Sequence, residues 1–220
     1  MKSGLSRELI ALRVAKEFRD GDYVNLGIGL PTLVSNFIPE DIEVILHSEN
    51  GMLGYSRVAN EEEIDPELIN ASSQPVTLRP GAVFFNSADA FAMIRGGHID
   101  VTVLGAFQVS EKGDLANWMR LERKLGGIGG SMDLVSAPKR VIVAMEHTTR
   151  SGEPKIVKIC TNPLTKREVV NMIITNLAVI EVTRGGLLVK EVAPSVTPEE
   201  VQAVTEPKVK LAKDLREMEL

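Results

Sequence analysis

Apolar positions along this chain come in short runs of four or five, separated by polar turns rich in glycine, with a few stretches at helical spacing. Ile10, Val14 and Phe18 recur at i, i+4 and i+8, so residues 6–20 read as an amphipathic helix stopped by Gly21. Tyr23-Val24-Asn25-Leu26 reads as a strand, and Gly27-Ile28-Gly29-Leu30-Pro31 leads from it into a short helix ending at Phe37. Strand, glycine turn and helix in that order open a βαβ unit. Residues 43–47 carry Val44, Ile45 and Leu46 and read as a short buried strand, closed by Ser48-Glu49-Asn50-Gly51. Asn50-Gly51 is a turn signal because both residues tolerate positive φ.

Further on, 60–66 is polar and acidic and reads as a surface loop. Phe84-Phe85 suggests a strand, and 88–95 a helix ending at Gly96-Gly97. Residues 100–104 and 141–145 read as two more strands. Two hairpins are expected, one turning at Glu111-Lys112-Gly113 and one at Arg184-Gly185-Gly186. The tail reads as helical, because Thr197-Pro198-Glu199-Glu200 carries the signature of a capping box. Strands alternating with helices predict an α/β fold: an open, mainly parallel sheet with helices on both faces. No repeat, low-complexity tract or linker interrupts residues 1–220, so one domain is expected.

Composition narrows the function classes. With 44% hydrophobic and 25% charged residues the chain reads as an ordinary globular protein. A net charge of −5 argues against nucleic acid as a partner. Cys160 is the single cysteine; it excludes an internal disulfide, fits a reducing compartment and reads as a small buried hydrophobe. Arg7, Glu8, Arg13 and Lys16 break the apolar run that a signal peptide needs, and no stretch approaches the roughly 20 apolar residues of a membrane span. A cytoplasmic location is expected.

Glu49 follows a strand end, where open α/β sheets hold their ligands, although a helix cap or an arginine partner would also explain it. The three histidines, His47, His98 and His147, lack metal-ligand spacing, so no metal site is expected. No Gly-x-Ser-x-Gly elbow is present, although a triad assembled in space stays open. Gly27-x-Gly29 lacks the third glycine of a dinucleotide fingerprint and fits a tight turn equally well. Residues 126–131 hold four glycines in six positions. They suit either a hinge or a backbone that approaches a ligand closely and offers N–H groups to an anionic oxygen.

Five blocks occur in one order: Asn25-Leu26-Gly27-Ile28-Gly29-Leu30-Pro31, Ser48-Glu49-Asn50-Gly51, Ile94-Arg95-Gly96-Gly97-His98-Ile99-Asp100, Gly113-Asp114-Leu115-Ala116-Asn117-Trp118 and Gly129-Gly130-Ser131-Met132-Asp133-Leu134-Val135. Together they resemble the β subunit of family I coenzyme A transferases of the 3-oxoacid type, from about residue 7 to the C-terminus. The resemblance implies the three-layer fold shared with ribose-5-phosphate isomerase. It implies Glu49 as the nucleophile that forms an acyl-glutamyl anhydride and then a glutamyl-CoA thioester. Oxyanion and CoA contacts would come from Asn25, Gly27, Gly29, Gly129, Gly130 and Ser131, with Ser48, Asn50 and Gly51 supporting the turn. Coenzyme A would be a substrate, no cofactor would be needed, and an α subunit would complete the enzyme, as an α2β2 assembly. Two stretches depart from the family's pattern: Asn70-Ala71-Ser72-Ser73, where a glycine and a lysine or second glycine are usual, and Leu121-Glu122-Arg123, where Pro-Gly-Lys is usual. The competing reading is a sugar-phosphate-binding isomerase or a sensor on the same sheet, and the role of Glu49 separates the two.

Overall fold

The computed structural model describes residues 4–121 and 125–220. Helix α1 (Arg7–Ala15) opens on Ser6, whose hydroxyl accepts from the Leu9 N–H at 3.3 Å. It ends earlier than its periodicity suggests. Phe18 still reaches the core from the turn that follows, and Gly21, at φ +80°, donates to the Glu43 carbonyl at 2.7 Å. Strand β1 (Tyr23–Leu26) then runs into a 3₁₀ helix (Leu30–Phe37) with Pro31 in its first turn. Strands β2 (Ile45–Ser48), β3 (Met52–Val58) and β4 (Val76–Phe84) follow, then helix α2 (Ser87–Arg95), capped by the Asn86 side chain. Strand β5 (Val101–Leu104) is buried along its whole length.

Three short strands, β6 (Gln108–Ser110), β7 (Leu115–Ala116) and, later, β11 (Ile156–Val157), form a small second sheet. Strands β8 (Met119–Arg120) and β9 (Leu125–Gly126) form a ribbon that leads into helix α3 (Ser131–Leu134). The main sheet continues through β10 (Arg140–Met145), β12 (Met172–Thr175), β13 (Ala178–Thr183) and β14 (Gly186–Val192). Helix α4 (Pro198–Ala203) carries the expected capping box, and β15 (Lys210–Glu217) closes the described chain.

The ten-stranded sheet has the order β15-β14-β13-β12-β10-β5-β1-β2-β3-β4. Its middle five strands, β12 to β2, pair in parallel, and β2-β3-β4 and β12-β13-β14 are antiparallel flanks. The parallel strands carry Val, Ile and Leu on both faces, as strands buried on two sides must. Helix α1 packs on β10 and β12, and α4 on β14.

Both hairpins form where glycine allows them. The helical tail does not extend as expected. Leu211 and Leu215 stand at i, i+4, but the free edge of β14 captures this segment as a parallel strand. Arg216 fixes the pairing, donating to Glu191 Oε1 at 2.9 Å while Arg13 reaches Glu191 Oε2 at 2.6 Å. The ribbon β3-β4 is also longer than the apolar pattern suggests, because its register shifts at bulges near Leu53, Tyr55 and Val58 and breaks the alternation.

Candidate active site

The carboxyl ends of β2, β1, β5 and β10 open into a cavity of about 740 Å³. Ligand sites in open α/β sheets lie at such strand ends. Its wall includes Glu49, the glycine turn at Gly27, the loop 104–107 after β5, the 127–131 glycine run and the segment 145–150 after β10.

Glu49 is the first residue beyond β2. The turn is tight: the Gly51 N–H donates to the Ser48 carbonyl at 3.0 Å, and Gly51 sits at φ +114°. A Cβ at Gly51 would lie 1.9 Å from the Phe85 carbonyl oxygen, so only glycine fits. Of the Asn50-Gly51 pair only Gly51 uses positive φ; the Asn50 side chain instead donates to the Ile69 carbonyl at 2.8 Å. Ser48 Oγ accepts from the Ala71 N–H at 2.9 Å. Ser48 and Asn50 thus staple the 69–74 loop to the Glu49 turn and bring Ala71 to the cavity wall.

Across the cavity the glycine run meets the carboxylate. A Cβ on Gly130 would lie 3.1 Å from Glu49 Oε1 and 2.9 Å from the Phe91 ring, so Gly130 presents bare backbone to this acid. The Ser131 N–H is occupied by the Ile128 carbonyl at 3.1 Å, whereas those of Gly129 and Gly130 have no acceptor among the described residues. Two free N–H groups beside a carboxylate suit an oxyanion. Burial, and after it the Asp133 carboxylate, push the Glu49 carboxyl above its ordinary value. Asp133 is itself paired with Arg95 at 3.1 Å.

The residues expected at the site are not all together. Gly27, Gly129, Gly130 and Ser131 line the cavity with Glu49. Gly29, at φ +93°, faces a smaller adjoining hollow that also contains Arg7 and Ser72. Asn25 lies beneath the site: it is buried, paired in register with His47, and its amide donates to His47 Nδ1 at 2.9 Å. That bond makes Nδ1 the acceptor of a neutral ring, in keeping with a His47 pKa lowered by burial to about 4. His147 is likewise buried, with its nitrogens on Thr175 Oγ1 (2.9 Å) and Thr205 Oγ1 (2.8 Å). Cys160 is only half-buried, its thiol directed at the Asp114 carbonyl and pushed up to about 12 by burial and then by Asp114.

Of the two departures, Ser73 lies at the end of the stapled loop at φ +58°, and Ser72 Oγ is buried without a partner among the described residues. Glu122 and Arg123 lie outside the described residues. Several wall residues carried no sequence signal: Arg7, Phe107, Glu146, Arg150 and Lys155, whereas Asn117 belongs to one of the five blocks.

Comparison with known proteins places this arrangement in context. The family model for coenzyme A transferase matches residues 7–203. The mitochondrial succinyl-CoA:3-ketoacid coenzyme A transferase 2A of Rattus norvegicus is 51% identical over 97% of this chain, which spans only 41% of that relative. The acetate CoA-transferase subunit beta of Escherichia coli K12 is 48% identical, with 96% of each chain covered. Among solved structures, an acyl-CoA transferase from E. coli O157:H7, in a thioester complex with CoA, superposes with a TM-score of 0.76 at 20% identity, covering 100% of this chain and 44% of that one. No helix among the described residues is long and apolar enough to cross a membrane.

Proposed function

Because this chain belongs to the coenzyme A transferase family, we propose that it is the β subunit of such an enzyme and that Glu49 carries the acyl and CoA groups in turn. The observation that supports this most directly is the closeness of the Glu49 carboxylate to Gly130 at the wall of a cavity, where an added Cβ would lie 3.1 Å from Oε1.

The chemistry follows from the residue. A Glu49 oxygen attacks the carbonyl carbon of an acyl-CoA, and the tetrahedral oxyanion is held by the free N–H groups of Gly129 and Gly130. Collapse breaks the C–S bond, leaving an acyl-glutamyl anhydride and CoA thiolate. The thiolate attacks the Glu49 carbonyl carbon, the donor acid departs as its carboxylate, and a glutamyl-CoA thioester remains. An acceptor carboxylate then runs the steps in reverse and restores Glu49. Protons and electrons balance without an external reagent, and one difficult exchange becomes four easier ones. The raised pKa suits the role, since a less solvated carboxylate is a stronger nucleophile.

An α subunit of related fold is proposed to complete the site, in an α2β2 assembly. The rat relative's greater length agrees with a fused version of the two. The acids exchanged are proposed to be short carboxylates, 3-oxoacids or acetate, by analogy with the relatives named above. We further propose that the chain acts as one domain in the cytoplasm and that coenzyme A enters as a substrate.

The test is Glu49→Gln and Glu49→Asp in the purified complex with its α partner. Both should lose at least about 10³-fold in kcat, as expected on removing a covalent nucleophile. A Glu49→Gln enzyme that still exchanges CoA at a tenth of the normal rate would contradict the assignment.

A further inference from the structure

One wall residue of the cavity stands apart from the chemistry above. Lys155 lies in the loop between β10 and β11 and is only 8% exposed, yet it lines the cavity. Among the described residues its ammonium group has no hydrogen bond and no ion pair. Its backbone, in contrast, is fixed on both sides: its N–H donates to the His147 carbonyl at 3.2 Å, and its carbonyl accepts from the Val109 N–H at 2.9 Å. His147 is itself pinned by Thr175 and Thr205. A rigid backbone that holds a buried cation without a partner is an arrangement that fold stability alone does not reward.

The place of Lys155 in the sheet indicates what it meets. Val109 belongs to β6 of the small sheet just after β5, whereas Glu49 follows β2, two strands along from β5 in the main sheet. Lys155 and Glu49 thus line one cavity from different elements of the fold. A cavity of about 740 Å³ has room for more of a bound thioester than its reacting carbonyl. The same wall carries the apolar Leu104, Ala106 and Phe107.

We propose that Lys155 receives an anionic oxygen group of the substrate remote from the reacting carbonyl: a phosphate of the CoA arm or the distal carboxylate of a dicarboxylic acid. This rests on the transferase reading and extends it to how substrate is recognised. Binding energy gained there can be realised in the transition state at Glu49.

Burial first, and then Arg120, lower the Lys155 pKa to about 8, with Glu146 opposing them. The charged groups acting on it are Arg120 on β8 and Glu146 just after β10; His147 beside it is held neutral, and Arg150 shares the cavity wall. Anion binding should therefore weaken as pH rises through about 8, and an arginine in its place should remove that dependence.

The experiment compares Lys155→Met, Lys155→Arg and the exposed control Lys158→Met in the complex with the α subunit. Donors are acetyl-CoA, succinyl-CoA and acetyl-pantetheine, which lacks phosphate. A Lys155→Met rise in KM of about ten- to hundredfold is expected, the range for one lost charge-assisted hydrogen bond. Lys155→Arg should recover most of it with a flatter pH profile, and Lys158→Met should match the parent. A rise for both CoA donors but not for acetyl-pantetheine assigns the phosphate; a rise for succinyl-CoA alone assigns the carboxylate. Unchanged KM for all three donors overturns the proposal. So does a Lys155→Met protein that unfolds at lower urea, since loss of an unpaired buried charge should leave stability equal or higher. If the parent enzyme itself forms no CoA adduct on Glu49, the transferase reading fails, whatever Lys155 does.

Discussion

The closeness of Gly130 to Glu49 can be probed by adding one methyl group. Gly130 sits at φ −84° and ψ 2°, where alanine is at ease, so Gly130→Ala introduces no backbone strain. The new Cβ would lie 2.9 Å from Phe91 Cε1 and Cζ and 3.1 Å from Glu49 Oε1. Comfortable separations are about 3.5–4.0 Å, so ring and carboxylate must each retreat by roughly half an ångström or more. Overpacking of this kind costs about 1–3 kcal/mol, and the low end applies because Phe91 is only half-buried and can swing away. The catalytic loss should be larger: displacing a reacting group, or spoiling one oxyanion donor, costs about 10²-fold. Gly129→Ala is the informative partner. Gly129 sits at φ +46°, and a Cβ added there would meet nothing within 4 Å, so the change brings about 1–2 kcal/mol of backbone strain without intruding on Glu49. Steady-state CoA exchange and urea unfolding of both variants give the answer. Gly130→Ala should lose about 10²-fold in kcat with a small stability change, and Gly129→Ala less than about tenfold with a comparable or larger one. A Gly130→Ala enzyme within twofold of the parent would refute the idea that this face of the glycine run serves the carboxylate.

Exchange should fall on the acid side through a pKa above the ordinary carboxylate value, because Glu49 must be ionised; a pH–kcat profile without that raised limb would count against it. The same shift carries a stability sign. The native state holds the Glu49 proton more tightly than the unfolded state, so this group's contribution declines as pH rises from the unfolded to the folded pKa. Glu49→Gln should therefore unfold at equal or higher urea at pH 7, which separates a catalytic loss from misfolding. His47 and His147 have the opposite sense: both are held near a pKa of about 4 against 6.5 when unfolded, so their stabilising effect should vanish as pH falls from 6.5 to 4, read as a falling urea midpoint. Ser48→Ala should cost about 1 kcal/mol and loosen the 69–74 loop, seen as faster amide exchange at Ala71. Arg13→Met leaves the buried Glu191 short of one partner and should cost about 3–5 kcal/mol in urea unfolding.

Much of this site is legible in the residues because glycine chemistry is local. Gly51 must be glycine to pass the Phe85 carbonyl, and Gly130 must be glycine to admit Glu49, so both leave a mark on the sequence. The parallel strands are legible because burial on both faces demands continuous apolar runs. What the residues hide is set by long-range pairing. The tail 210–217 has helical spacing, but the open edge of β14 and the Arg216–Glu191 bond draw it into the sheet. Asn25 stands beside the first glycine turn in sequence, yet the pleat directs it inward to His47. Lys155 carries no local signature at all; only the fold brings it to the cavity.

The central claim is that Glu49 becomes covalently attached to CoA. The complex with its α partner should be mixed with acyl-CoA in the absence of acceptor, quenched in acid, digested and analysed by mass spectrometry. The peptide containing Glu49 should gain the mass of CoA less one water, and the gain should disappear when excess acceptor carboxylate is added. A labelled protein whose adduct maps to any other residue, or a turning-over enzyme whose Glu49 peptide never carries CoA, would contradict it.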